Sequence, residues 1–144
     1  MRYSDAHYAW CAGLFDGEGY VCIVADKRCN GVNPRLGLGM TCEVTVKHFR
    51  EILGNGKINL QTWKEKENHR PKYVWSLYGS LCVKIAERLL PFSITKRKQL
   101  ELIIEYYASQ TRSFKNRYQL MTEEEKKTRN EFVEKMKELN KRGM

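Results

Sequence analysis

Cys11-Ala12-Gly13-Leu14-Phe15-Asp16-Gly17-Glu18-Gly19 is the stretch on which the fold turns. Ser4 is placed to cap a helix over about residues 5–16, and Gly17 and Gly19 punctuate its end. Ala9, Ala12, Gly13 and Asp16 fall at helical spacing, a single stripe of small residues closed by a carboxylate. A glycine inside a helix costs about 1 kcal/mol relative to alanine, so close approach of a second helix is the natural reason for it. Asp16 and Glu18 also stand at the helix's C-terminal end, where the dipole is already negative and carboxylates are unfavourable. A bound cation offsets that repulsion. The plainer alternative is a packing seam with solvated acids.

Beyond Gly19 the period changes. Tyr20-Val21-Cys22-Ile23-Val24 reads as a strand over about residues 19–27, and Cys29-Asn30-Gly31-Val32-Asn33-Pro34 as a turn cluster. From Arg35 to Thr45 the alternation is strict. Leu36, Leu38, Met40, Cys42 and Val44 share one face; Arg35, Gly37, Gly39, Thr41, Glu43 and Thr45 share the other. That predicts a half-buried strand of an antiparallel pair. Phe49, Ile52 and Leu53 mark a short helix stopped by Gly54-Asn55-Gly56, and two more strands, about 57–65 and 72–78, flank a polar turn. A helix opening at Ser80 carries Leu81, Ile85 and Leu89 and ends at Pro91. Another starts at Thr95 with Leu100, Ile103, Ile104 and Tyr107 on one stripe. The last follows a capping box at Thr122-Glu123-Glu124-Glu125, with Phe132, Val133, Met136 and Leu139 as its stripe. The order predicts an α+β fold, an αββαββα core with an antiparallel sheet plus C-terminal helices, in one domain over residues 1–144.

Composition narrows the function. With 42% apolar residues in 144, the chain is globular, and no apolar run approaches the roughly 20 residues of a membrane span. The start of the chain lacks a cleavable secretory signal. Five scattered cysteines without a CxxC pair point to free thiols in a reducing, intracellular compartment, with Cys11, Cys22 and Cys42 as core residues and no zinc-ligand spacing. The net charge of +9 is uneven: residues 73–144 carry 15 Lys/Arg against 9 Asp/Glu, residues 1–72 carry 11 against 8. The sharpest excess is Lys96-Arg97-Lys98. Such a balance suits a polyanion, whose neutralised phosphates release counterions; a merely solvated basic surface is the bland alternative.

The stretch from Cys11 to Gly19 resembles the LAGLIDADG motif of homing endonucleases, with Cys11 in place of the leading leucine. Leu90-Pro91-Phe92 followed by Lys96-Arg97-Lys98-Gln99 is similar to the family's second active-site region, and the element order is that of the family's core over about residues 5–108. The resemblance implies a site-specific double-strand DNA endonuclease using magnesium or another divalent cation such as manganese. Glu18 matches the metal-binding acid, Gly17 the glycine whose carbonyl completes coordination, and Asp16 an acid that is more structural than catalytic. Lys98 matches a basic residue near the scissile phosphate, and Arg50 a second basic residue at the start of the helix after the second strand. Val46 stands where the family often has a polar residue at that strand's end, with Lys47 as the candidate to position water instead.

A single motif supplies one metal-binding acid, and cutting both strands needs two centres. A homodimer joined along Ala9, Ala12, Gly13 and Asp16 is therefore expected, on a pseudo-palindromic site. By alternation, Asp26, Arg28, Arg35, Thr41, Glu43, Asn59, Gln61, Trp63 and Lys72 are candidates for the DNA-facing row, with Lys96 and Arg97 beside them. A cleavage-inactive DNA-binding regulator, or a maturase that binds RNA, is the other reading these residues leave open.

Overall fold

A computed structural model describes residues 3–26, 31–62, 70–109 and 123–142. The first helix, α1 (Asp5–Glu18), opens where His7 Nδ1 accepts the Ser4 backbone N–H at 3.2 Å and meets the Ser4 hydroxyl at 2.8 Å. It closes at Gly19, whose N–H returns to the Phe15 carbonyl. A Cβ at Gly19 would run into the Phe15 ring, so close approach demands glycine there. The chain passes directly into β1 (Gly19–Asp26), then β2 (Gly31–Met40), α2 (Glu43–Leu53), β3 (Lys57–Gln61) and β4 (Lys72–Tyr78). Next come α3 (Leu81–Leu89), a 3-10 turn (Leu90–Phe92), α4 (Arg97–Ser109) and α5 (Glu123–Arg142). The sheet is antiparallel in the order β1-β2-β4-β3, and the class is the expected α+β.

One sheet face is the core. Val21, Ile23, Leu36, Leu38, Trp75 and Leu77 are buried with Phe15 of α1, Phe49 of α2, Ile85 of α3 and Ile103 of α4. Each such side chain contributes about 1.5–3 kcal/mol relative to exposure. Phe49 ties the layers together, stacked on Phe15 at 6.4 Å and edge-on to Trp75 at 5.0 Å. The Trp75 indole N–H donates to the Asn55 carbonyl at 2.8 Å, which keeps the polar end of a buried ring satisfied.

α5 braces the β1 edge of the sheet. β1 is an edge strand, and Asn140 Nδ2 donates to the Val21 carbonyl at 2.9 Å, covering an acceptor the edge leaves free. Val133 and Met136 are buried, and the Phe132 ring meets Tyr106 edge-on at 5.4 Å. Tyr106 in turn donates to the Val32 carbonyl at 2.7 Å.

The second strand departs from its sequence pattern. It begins at Gly31, inside the expected turn, and stops at Met40. The helical stripe Val46, Phe49, Ile52, Leu53, all buried, claims the following residues. Alternation past Met40 is therefore accidental: Cys42 is exposed at the N-cap of α2 and Val44 is 77% exposed. Glu43 and Thr45 lie on α2 and leave the DNA-facing strand row predicted for them. Cys11 is buried as expected, but Cys22 is half-buried on the opposite sheet face and Cys42 is not core. Arg28, Cys29, Trp63 and Thr122 lie outside the described residues.

Candidate active site and nucleic-acid face

Two carboxylates, two residues apart, end in different circumstances. Asp16 turns into the chain and accepts three hydrogen bonds: from Ser93 Oγ at 2.5 Å, Ile94 N at 2.8 Å and Lys96 N at 3.1 Å. Burial, the largest single influence, pushes its carboxyl up, but the bonds from Ser93 and the backbone of Ile94, Lys96 and Thr95 together outweigh it and hold the group below the usual carboxylate range. Lys96 O accepts the first helical bond of α4 from Leu100 N at 3.0 Å, so Asp16 sits at the positive end of a second helix. The repulsion expected at the end of α1 is thus relieved for Asp16 by α4. For Glu18, exposed and without an ion pair among the described residues, it is not.

This tether brings the basic turn to the motif. Lys96 is half-buried and held by its own N–H; Arg97 bonds to the Leu90 carbonyl at 3.4 Å and to Glu101 at 3.3 Å. Lys98, in the first turn of α4, is exposed. The other two predicted basic residues go elsewhere. Arg50 stands near the end of α2, not its start, and its Nε donates to the Gly56 carbonyl at 2.8 Å. Its neighbour Glu51 accepts from Tyr3 at the opposite end of α1 from Glu18. Lys47 pairs with Glu43 one turn away at 2.5 Å. No contact brings either residue to Glu18. Val46 is core, 0% exposed, on α2; the residues that follow the second strand are Thr41 and Cys42, both exposed. These corrections share one cause, the early start of α2.

Among the described residues no group of three or more His, Cys, Asp and Glu converges on one point. The Glu18 carboxylate, with the Gly17 carbonyl from a last turn that lacks intrahelical donors, offers hard oxygens. That donor set fits a hard divalent cation that keeps several of its waters.

Among the described residues no helix buries the second sheet face. Pairing puts Tyr20, Cys22 and Val24 of β1 beside Gly37, Arg35 and Asn33 of β2; on the far side lie Lys72, Val74, Ser76 and Tyr78 of β4, then Lys57, Asn59 and Gln61 of β3. Arg35, Asn59, Gln61 and Lys72 are on this face as predicted, and Asp26 ends β1. Thr41 follows the strand rather than belonging to it. Lys72 lies along Gly39, filling space a side chain there would take. Tyr20 and Tyr78, 40% and 53% exposed, were missed. In sequence Tyr20 begins a continuous apolar run, and nothing local says which of its members face out.

The outer face of α1 also differs from the predicted stripe. Ala12 is 1% exposed in the chain's own core and Asp16 is engaged with residues 93–96, so both turn inward. The open residues are Ala6, Ala9, Trp10, Gly13 and Gly17. A Cβ on Gly13 or Gly17 meets nothing within 4 Å. Beside them an open groove of about 280 Å³, lined by Ala6, His7, Trp10, His48 and Ile52, separates α1 from α2.

This architecture is the LAGLIDADG homing endonuclease fold. The homing endonuclease I-CvuI, solved with its target in the presence of calcium, matches with a TM-score of 0.62 over 92% of this chain and 96% of its own, at 18% identity. I-TnaI, also a homing endonuclease, matches over 100% of both chains with a TM-score of 0.58 and 16% identity. The LAGLIDADG homing endonuclease I-GzeII, solved with a DNA target, matches over 90% of this chain but 43% of its own, with a TM-score of 0.58 and 15% identity. At these identities the likeness is one of fold. No protein-family model matches the sequence, nor does any curated protein.

Proposed function

We propose that this chain is a site-specific, divalent-metal-dependent DNA endonuclease of the homing type, acting as a homodimer. The observation that carries the reading is the division of labour between the two acids. Asp16 is spent on anchoring Lys96–Lys98, while Glu18 stays exposed at the same helix end. Glu18 and the Gly17 carbonyl would hold the cation; magnesium or manganese bound there supplies polarisation of the phosphoryl oxygen and a more acidic water. Lys98 stabilises the charge that grows on the phosphate as the bond to the leaving oxygen breaks. Lys96 and Arg97 keep the backbone of the turn in register, and the second sheet face takes the major groove.

Two centres require two chains, and the open stripe Ala6, Ala9, Trp10, Gly13, Gly17 is the surface on which a second α1 packs closely.

Glu18→Gln keeps shape and removes the charge that holds the cation. Single-turnover cleavage of the cognate duplex in magnesium should fall by at least about a thousandfold, with DNA affinity changed less than about tenfold. Undiminished cutting by that variant would sink the assignment. A wild-type protein that binds its duplex but never cuts it, whatever the divalent ion, would establish the regulator or maturase alternative instead.

A further inference from the structure

One charged group on the open sheet face is explained neither by the fold nor by the cleavage chemistry. Arg35 stands in mid-sheet, on interior strand β2, paired with Cys22 of β1 and Tyr78 of β4. Its guanidinium lies over the Tyr78 ring, 4.5 Å from the centroid, and the Tyr20 hydroxyl interacts with it from the neighbouring row. Tyr20 is itself laid across Gly37, where any side chain would collide with its ring. Arg35 Nε is buried without a hydrogen-bond partner, and no carboxylate among the described residues forms an ion pair with the group. Arginines retained for stability alone pair with an acid or extend their heads into water. This one lies over the part-exposed Tyr78 ring and meets the Tyr20 hydroxyl instead.

We infer that Arg35, clamped by Tyr20 and Tyr78, is a specificity-determining residue that reads a guanine in the major groove of the bound duplex; the inference rests on the endonuclease reading above. An interior strand faces the groove floor, where base edges lie, whereas phosphates line its walls. A planar fork of N–H donors matches the O6 and N7 acceptors of guanine. Stacking on Tyr78 fixes the fork beforehand, so less rotamer freedom is lost on binding. Position along the target follows from the strand. Cys22, the partner of Arg35, is four residues beyond Glu18, roughly 13 Å of β1. That length corresponds to roughly three to five base pairs from the cut.

The test is selection of bound duplexes from a library randomised over about three helical turns, without divalent metal, using the full-length protein and its Arg35→Ala and Arg35→Lys variants. Wild type should show guanine at one position of each half-site, at the stated distance from the cut mapped with magnesium. Both variants should lose that preference by roughly 5- to 150-fold and leave the other positions unchanged. Arg35→Lys keeps the charge, so its salt dependence should match wild type; Tyr78→Phe keeps the ring and should retain the guanine. Unchanged base preferences in Arg35→Ala would overturn the inference while leaving the endonuclease reading intact. So would a uniform loss of affinity with a shallower salt slope, the mark of a phosphate contact. A wild-type protein that enriches no duplex removes both.

Discussion

The two faces of α1 are built to opposite specifications. Inward, Cys11, Ala12 and Phe15 are at most 1% exposed, burial pushes the Cys11 thiol up to about 12, and Asp16 is held by three hydrogen bonds. Outward, Ala9, Trp10, Gly13 and Gly17 are exposed, the Trp10 ring meeting His48 edge-on at 5.2 Å, and added carbon at either glycine meets open space. The inward face is finished within one chain. Among the described residues the small side chains of the outward face have no close neighbour, which suits the dimer proposed above. The two acids differ as well, since Asp16 is satisfied within the chain and Glu18 is left exposed at the helix end.

The largest effect expected from this contrast comes at Gly13. Leucine there has free room in the single chain and is a better helix former, so thermal stability of the monomer should hold or rise slightly. In a dimer packed on this stripe it overfills the seam twice. Association measured by sedimentation should weaken by at least about thirtyfold, at about 1–3 kcal/mol for each of the two overpacked sites. An intact Gly13→Leu dimer would show that the outward face is not the interface.

Asp16→Ala should come next. It strips an acceptor from Ser93, Ile94 and Lys96, costing about 2 kcal/mol after discounting for partial exposure, read from urea unfolding. Because the folded carboxyl lies below its unfolded value of 3.8, its contribution is full above that pH and is lost as pH falls through the folded value. Stability of the wild type should therefore decline more steeply in acid than that of Asp16→Asn. Parallel acid limbs would mean that the tether contributes nothing.

The smallest expected effect is at Lys98, carried by the same tether. Lys98→Ala should slow single-turnover cleavage by about ten- to a hundredfold while changing affinity less. Loss of affinity at an unchanged rate would make Lys98 a phosphate anchor and leave Asp16 holding a binding turn rather than a catalytic one.

Much of the molecule was readable along the chain because its signals are local. The glycines and acids of residues 11–19 mark the end of a helix, so α1 followed from spacing, while the role expected of Glu18 came from the resemblance. The turn at Lys96–Lys98 announced itself by charge and by Pro91 ahead of it. The boundary between β2 and α2 did not. Residues 40–45 satisfy strand alternation and residues 43–53 satisfy a helical stripe, and only packing of Val46 and Phe49 against the sheet chose the helix. From that one choice Arg50 lies near the end of α2 rather than its start, Lys47 pairs with Glu43, and Glu43 leaves the strand row expected for it. Alternation placed Arg35 in the outward row, but its grouping with Tyr20 and Tyr78 was out of reach, because three strands must pair before these residues share one patch.

Taken alone, the sequence determined the order of helices and strands, though not the boundary between β2 and α2, and that two acids end the first helix, since hydrophobic period, glycine and proline act within a turn or two of the chain. Spacing could not determine which acid is free; only the resemblance told them apart. Asp16 finds Ser93 and Lys96 at separations of 77 and 80 residues, and hydrogen-bond partners so remote leave no local mark. Only the docking of α4 against the end of α1 satisfied one carboxylate from within and left Glu18 to the solvent.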